Sequence, residues 1–292
     1  MKKQLTALLA VGVMATTMGS TSAQAATETA NPTPISSSGW LHSDESQRGA
    51  FKNTYYRLKV KTPAKLAAYR AQGGAMIQRK LTLPKGTIIS ATKQGKYLVK
   101  TENSQAADVR YGLKAATLKK MGTVGQGTLV LKIKASQATK IKRPVYALPY
   151  GGGQLLSGGL KALSQVPKIT SNQIRITADG YLEYYPNHPH VVTGDGGYQW
   201  TYAFDQRPTK SVKITKATAK GSRVFLYTKV KPAGVASSRV AKTGAHQYRV
   251  KLTNLHTPYA YTDNWLGDDT GVASLYTIGK TTAYTVIGEG FN

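Results

Sequence analysis

The sequence predicts a mainly-β protein made of two or three small barrel or sandwich modules, and three observations carry that expectation. Short runs alternate apolar with basic residues, glycine-bearing turns separate the runs, and eighteen tyrosines stand against four phenylalanines. Period-two alternation means a sheet with one buried and one solvated face. Tyrosine suits such surfaces because it buries a ring while its hydroxyl stays in water.

At the N-terminus, Lys2 and Lys3 precede an apolar run from Leu5 to Met18, and Ala23-Gln24-Ala25 follows as a small-x-small site. This is the three-part layout of a secretory signal peptide over residues 1–25, with cleavage expected after Ala25. Thr6, Thr16 and Thr17 interrupt a run already short for a membrane anchor. No cysteine is present to carry a lipid, no later run approaches a membrane span, and no LPxTG-type sortase signal occurs. Residues 26–50 read as a Pro/Ser-rich linker: Asn31-Pro32-Thr33-Pro34 disfavours helix and strand alike, and Ser36-Ser37-Ser38-Gly39 follows.

From Phe51 onward strands dominate. Tyr56–Lys61, Leu129–Lys134, Ser211–Lys216 and Gln247–Leu252 each alternate apolar with basic or polar residues, placing cations on the solvent face. Thr87–Ser90 and Lys96–Lys100 are shorter β-type runs set between turns at Pro84–Gly86 and Gln94–Gly95. In the second run Tyr97 and Val99 face one way, and Lys96, Leu98 and Lys100 the other. Further turns are expected at Gly73-Gly74, Gly151–Gly153, Asp179-Gly180, Gly194–Gly197 and Gly267–Gly271. Two helices are expected, Ala64–Gln72 and Leu155–Leu163, the second weakened by Gly158 and Gly159. A basic alternating strand followed by a Tyr-Ala element recurs at unequal spacing, at Tyr69, Tyr146-Ala147 and Tyr259-Ala260. These signals divide the chain into β modules at 51–122, 123–208 and 209–292.

The runs Leu83-Pro84-Lys85-Gly86-Thr87 and Gly95-Lys96-Tyr97-Leu98-Val99, with the signal segment, the Pro/Ser leader and the Lys-rich strands, resemble secreted surface proteins of lactobacilli. Those proteins often carry SH3-like or S-layer-type wall-binding repeats. The resemblance is best over Lys65 to Lys120. It implies SH3-like modules, with Tyr111-Gly112-Leu113-Lys114 and Leu118-Lys119-Lys120 supplying closing strands, and association with the cell wall. It identifies no binding residue.

Chemistry is sparse. The absence of cysteine excludes disulfides, thiolate metal sites and cysteine nucleophiles. His188-Pro189-His190 with Asp195 lacks two further ligands and reads as a solvated loop. Asp263-Asn264 and Asp268-Asp269 do not follow the spacing of a calcium loop and read as a capped turn. Glu102, Asp108, Asp179, Glu183 and Asp205 are the carboxylates a glycosidase would draw on. Nothing in the sequence pairs them, and carboxylates in a basic protein serve mostly as counter-charges. Ser157 and Ser164 do not sit in G-x-S-x-G, and Gly151-Gly152-Gly153 is not followed by the Gly-Lys-Ser/Thr of a phosphate loop. No cofactor, metal or catalytic residue is expected.

The charge is the most informative feature. Forty Lys and Arg face thirteen Asp and Glu, and cleavage after Ala25 would lower the net charge only from +27 to +25. A charged surface of either sign gives solubility, so a one-signed excess along strand faces points instead to a polyanion. Lysine in excess over arginine suits diffuse attraction more than bidentate recognition. The expected binding residues are Arg57, Lys59, Lys61, Lys96, Lys100, Lys132, Lys134, Lys213, Arg249 and Lys251. The expected function is a non-catalytic, secreted cell-envelope protein that binds teichoic acid or acidic polysaccharide through basic sheet faces. Nucleic acid is a secondary partner. The alternatives are a secreted carbohydrate-active or wall-remodelling enzyme, and a host-facing adhesin.

Overall fold

A computed structural model describes residues 33–34, 53–70, 76–101, 107–149, 152–163, 171–187, 189–194, 197–202, 204–263 and 269–291. The protein is mainly β and contains a closed barrel. The expected signal peptide, and all of the expected linker except Thr33–Pro34, lie outside the described residues.

The first strand, β1 (Thr33–Pro34), belongs to the second half of the structure. The first half comprises β2 (Tyr55–Leu58), β3 (Thr62–Arg70), β4 (Met76–Leu83), β5 (Ile88–Ser90), β6 (Thr92–Gln94) and β7 (Tyr97–Lys100), then helix α1 (Tyr111–Met121), β8 (Val124–Lys134) and β9 (Ala138–Ile141). The strands form two sheets, in the orders β4-β3-β8-β7-β6 and β5-β2-β9. Only Ala91 separates β5 from β6, and only a 3-10 turn separates β8 from β9, so the two sheets wrap a single core. Leu58, Leu66, Leu83, Ile89, Leu98 and Leu129 fill it, and Leu118 of α1 closes one side. Helix α1 buries Lys114, Leu118 and Met121, a set spaced by four and three residues that makes one helical face. It ends at Gly122, whose φ of 74° belongs to the left-handed region that glycine enters freely.

The second half continues with β10 (Gln154–Ser157), the short helix α2 (Gly159–Leu163), β11 (Gln173–Ile176), β12 (Tyr181–Tyr185), β13 (Pro189–Gly194), β14 (Gly197–Tyr202), β15 (Lys210–Lys220), β16 (Arg223–Thr228), β17 (Ser238–Arg239), β18 (Tyr248–Asp263), β19 (Asp269–Ile278) and β20 (Thr281–Phe291). Strands β10, β11, β12, β15, β16, β18, β19 and β20 each pair antiparallel with the next. The last returns to the first at Leu156–Tyr284, closing an eight-stranded up-and-down barrel. The hairpin β13–β14 is inserted between β12 and β15 as a separate two-stranded sheet. Eight strands give an interior that side chains can fill, and Leu155, Ile174, Leu182, Val212, Leu226 and Ile278 fill it.

Two patches on the outside of the barrel are also covered. Helix α2 lays Ala162 and Leu163 on Tyr261, Leu275 and Tyr284. On the other patch the first half packs against β11 and β12. There Tyr55 joins Ala107, Ala147 and Ala178 in one apolar cluster, and its hydroxyl donates to Leu148 O at 3.3 Å. Phe204, just before β15, reaches into the first half's core, where its N–H donates to Gly125 O at 2.8 Å. A Cβ on Gly127 would collide with that ring and with Ala68, so only glycine fits there.

Several expectations are corrected. Ala64–Arg70 is strand β3, not helix, because β4 and β8 flank it on both sides and its alternate residues Ala64, Leu66 and Ala68 enter the core. Tyr111–Lys120 is helix α1 rather than a pair of closing strands, because its buried residues repeat with helical spacing. Leu155–Ser157 is strand, and only Gly159–Leu163 is helical. Strand β2 ends at Leu58, so Lys59–Lys61 form an exposed bend in which Val60 faces solvent. Thr33–Pro34 pairs with Ala260 and Tyr259, on a stretch of β18 that extends past the end of β16 and leaves an edge open. A proline is tolerated at such an edge, where its missing N–H costs no ladder bond. The three-module division does not follow the sheets: β8 pairs with β3 and β7 across 122/123, and β12 pairs with β15 across 208/209. Tyr69, Tyr146 and Tyr259 sit in a strand end, a turn and a strand middle, so the weak sequence repeat is not a structural one.

Candidate functional site

Cations and aromatic rings alternate on two outward sheet faces. On β7 and β8, Tyr97 stands opposite Lys134 and Val99 opposite Lys132, so all four share the solvent face. The Tyr97 ring carries the Lys132 ammonium at 4.9 Å and the Lys96 ammonium at 5.7 Å. On the barrel, Phe225 stands opposite Lys251 and Tyr227 opposite Arg249. Arg249 lies 5.3 Å from the Phe225 ring and Lys216 lies 5.6 Å from that of Tyr227. These rings hold the cations by the attraction of charge to a π face, while the charged ends stay in water.

Of the expected binding residues, Lys96, Lys132 and Lys134 thus converge around Tyr97, and Arg249 and Lys251 share the second face. Lys213 is exposed beside Tyr181, its register partner on β12. Arg57 is exposed on β2, and Lys59 and Lys61 follow it in the bend. Lys100 is the exception and must be removed from the set. It shares a face with Leu98 as expected, but that face points inward, and Lys100 is 1% exposed.

Lys100 belongs to a buried charge cluster with Lys114 and Asp108. Lys114 is also 1% exposed, and its ammonium donates to Asp108 Oδ2. Burial lowers the Lys100 ammonium to about 8, against the raising effect of Asp108 and with the added repulsion of Lys114. Burial alone would push the Asp108 carboxyl up, but the Lys114 and Lys100 charges and the Lys114 hydrogen bond together hold it below its ordinary value.

Three of the sequence's carboxylates meet at the start of α1, on three successive backbone N–H groups. Val109 N–H donates to Asp108 Oδ1 at 2.7 Å, Arg110 N–H to Asp179 Oδ1 at 2.8 Å, and Tyr111 N–H to Glu183 Oε1 at 2.8 Å. Negative charge suits the positive end of a helix, whose first N–H groups have no partner within it. Asp179 also receives the Arg110 guanidinium at 2.5 Å and the Thr177 hydroxyl at 2.8 Å. Burial pushes its carboxyl upward, opposed by these donors. Glu183 accepts the Ser211 hydroxyl on Oε1 and the Tyr185 hydroxyl on Oε2, each at 2.8 Å. Burial pushes that tyrosine hydroxyl up. Asp179 and Glu183 are therefore committed to the joint between the two halves, and Asp108 to the Lys114 ammonium and the Val109 N–H within the first.

In front of this joint lies an open groove of about 1030 Å³, bounded by α1 on one side and by β12, β15 and the segment leading into β15 on the other. Tyr111, Ala115 and Lys119, spaced four apart along one helix face, form the first wall. Tyr181, Lys210 and Ser211 form the second. Arg110 stacks on the Tyr181 ring at 4.5 Å while paired with Asp179, so both side chains are held in place. Asp205 and Arg207 line the groove from the connecting segment. Among the described residues Lys119, Arg207 and Lys210 make no ion pair.

The sequence did not single out these groove cations because they come from separate segments. The one available signal was Arg207-Pro208-Thr209-Lys210, two cations in a proline-bearing break between strands. Among the described residues no three His, Asp or Glu side chains converge to hold a metal, and no helix is long and apolar enough to cross a membrane. Of the expected histidine loop, His188 and Asp195 lie outside the described residues, as do residues 264–268 of the acidic loop, Glu102 and Ser164. Ser157 Oγ accepts the Asn172 N–H at 2.9 Å.

No protein-family model, curated protein or solved structure matches the chain.

Proposed function

We propose that this chain is a non-catalytic, secreted cell-envelope protein that binds an anionic wall polymer, teichoic acid or acidic polysaccharide, through its basic sheet faces. The observation that carries this reading is the interleaving of cations and rings on two exposed faces: Lys96, Lys132 and Lys134 around Tyr97, and Lys216, Arg249 and Lys251 around Phe225 and Tyr227. Cations attract the polymer's acidic groups, and half-buried rings offer apolar surface to its sugar or polyol carbons. The fate of the carboxylates also favours binding over hydrolysis. Asp108, Asp179 and Glu183 each accept a backbone N–H, they also accept from Lys114, Arg110 and hydroxyl groups, and none of the three lines the groove. A hydrolase would need two carboxyls facing one another across a substrate.

Purified protein should bind isolated anionic cell walls at low salt and be released as salt rises. Each neutralised phosphate frees counterions, so several contacts together lose roughly tenfold or more in affinity between about 50 and 200 mM salt. Charge reversal at Lys59, Lys61, Lys132 and Lys134 should weaken retention without unfolding the protein, because all four side chains are exposed. Retention unchanged in about 1 M salt, where screening shortens to roughly 3 Å, overturns the proposal.

A further inference from the structure

We infer that the groove between α1 and the β12–β15 wall is a discrete subsite for an acidic sugar unit, a claim that rests on the wall-polymer reading above and narrows it to one place and one ligand class. Three kinds of side chain meet there. Lys119, Arg207 and Lys210 bring positive charge from the helix, the connecting segment and a strand start, three cations against the single carboxylate of Asp205, and among the described residues none of the three makes an ion pair. Tyr111 and Tyr181 place a ring on each wall. Asp205 adds a carboxylate, which accepts hydrogen bonds from hydroxyl groups.

An acidic saccharide uses all three at once. Its phosphate or carboxylate meets the cations, the C–H face of its ring lies on tyrosine, and its hydroxyls donate to Asp205. Single-stranded DNA would use the cations and rings, but its deoxyribose offers the Asp205 carboxylate no 2′-hydroxyl, whereas a saccharide unit carries several hydroxyls that can donate to it. The N-terminus of α1 adds no anion site of its own, since Glu183 already takes the Tyr111 N–H. The groove is also preformed. Its walls belong to the two halves of the molecule and are fixed by that same Tyr111–Glu183 bond, while the Arg110–Asp179 pair pins the Tyr181 ring. A preformed site spends little affinity on ordering itself. A volume near 1030 Å³ lies just above the usual range for small-ligand pockets, about 300–1,000 Å³, which suits one unit of a longer polymer.

The test is calorimetric titration of the full chain with four oligomers of similar length: a uronic-acid oligosaccharide, a phosphorylated oligosaccharide, a neutral oligosaccharide and single-stranded DNA. Binding of at least one of the first two, tighter than the neutral oligomer and DNA, is expected; which one binds tells carboxylate from phosphate. Arg207→Ser with Lys210→Ser should weaken that binding at least tenfold. Lys231→Ser with Lys242→Ser removes the same charge from exposed sites outside the groove and should change it less than twofold. Equal weakening by both pairs, no effect of the groove pair, or tighter binding of DNA overturns the groove assignment. Wall retention of the unaltered protein is measured in parallel. If walls are not retained but the acidic oligomer binds through Arg207 and Lys210, the wall reading fails and the groove stands.

Discussion

The Tyr111 backbone N–H donates to Glu183 Oε1 at 2.8 Å across 72 residues of sequence, so a barrel strand caps the helix of the other half. Glu183 sits in a cross-strand row, Gln154–Arg175–Glu183–Ser211, on the outer face of the barrel. That face would ordinarily meet water. Here Glu183 is buried, and each of its oxygens finds a donor in the joint or beside it. The two halves are therefore joined by a polar contact as well as by the small apolar cluster around Tyr55.

Glu183→Ala should destabilise the protein by about 2–4 kcal/mol, because it strands a helix N–H and a buried tyrosine hydroxyl together. Urea unfolding would read this directly. Glu183→Gln, which keeps an acceptor for the N–H, should cost less. An alanine variant with the parent's midpoint would contradict the capping role.

Lys100 makes stability depend on pH in the alkaline range. Its ammonium titrates near 8 in the folded protein and near 10.5 when exposed, so between those values the unfolded chain holds more protons. Stability then rises with pH, by at most about 1.4 kcal/mol per pH unit from this group. Lys100→Met should flatten the rise in unfolding free energy between pH 8 and 10, measured against the parent under the same conditions. An unaltered slope in the variant would refute the assignment.

Asp108 acts at the opposite end of the scale. Its folded carboxyl is held below the ordinary value by Lys114 and Lys100, so its contribution is present above the unfolded pKa and is lost as pH falls through the folded one. Asp108→Asn removes a negative charge beside two buried ammonium groups and breaks the ion pair with Lys114, which should cost about 3–5 kcal/mol near neutrality. Combining it with Lys100→Met should recover part of that loss. Additive destabilisation in the double variant would show that the two groups do not interact.

Phe204→Ala should cost about 3–5 kcal/mol, the usual range for emptying a buried aromatic site. Gly127→Ala should also destabilise, because its methyl meets the same ring. The informative measurement is the double variant: truncating Phe204 removes one of the two side chains that the methyl meets, the other being Ala68, so Gly127→Ala should cost less in that background. Strict additivity would mean that the ring is not what excludes a side chain at 127.

Much of the inside-outside pattern was legible because it is local. Leu129, Leu131 and Ile133 are buried while Lys132 and Lys134 are exposed, and Val212 and Ile214 alternate with Lys213 in the same way. Lys216 is in phase with Val212 and Ile214 and is exposed because the register shifts at a bulge between Ile214 and Lys216. Turns at Gly86, Gly95 and Gly180 also fall where expected, each with positive φ. What failed depends on partners distant in sequence. Ala64–Arg70 has a helix former's composition, but neighbouring strands override it. For Lys100 the alternation gave the correct companion, Leu98, and Leu98 enters the core, so that face turns inward; what the sequence hides is Asp108, whose charge favours an ammonium there. The groove was illegible for the same reason, since its cations come from α1, β15 and the segment between Phe204 and β15.

The pairing of β10 with β20 constrains how the molecule is made. Seven of the eight barrel joins link strands consecutive along the meander and can form as the chain lengthens; the eighth waits for the final strand. Until then β10 and the growing meander each present an unpaired edge, the kind of surface on which chains associate with one another. Closure is a long-range event and hence a slow one. A chain that stops before Thr281 would therefore be expected to accumulate as aggregate rather than as a smaller folded protein.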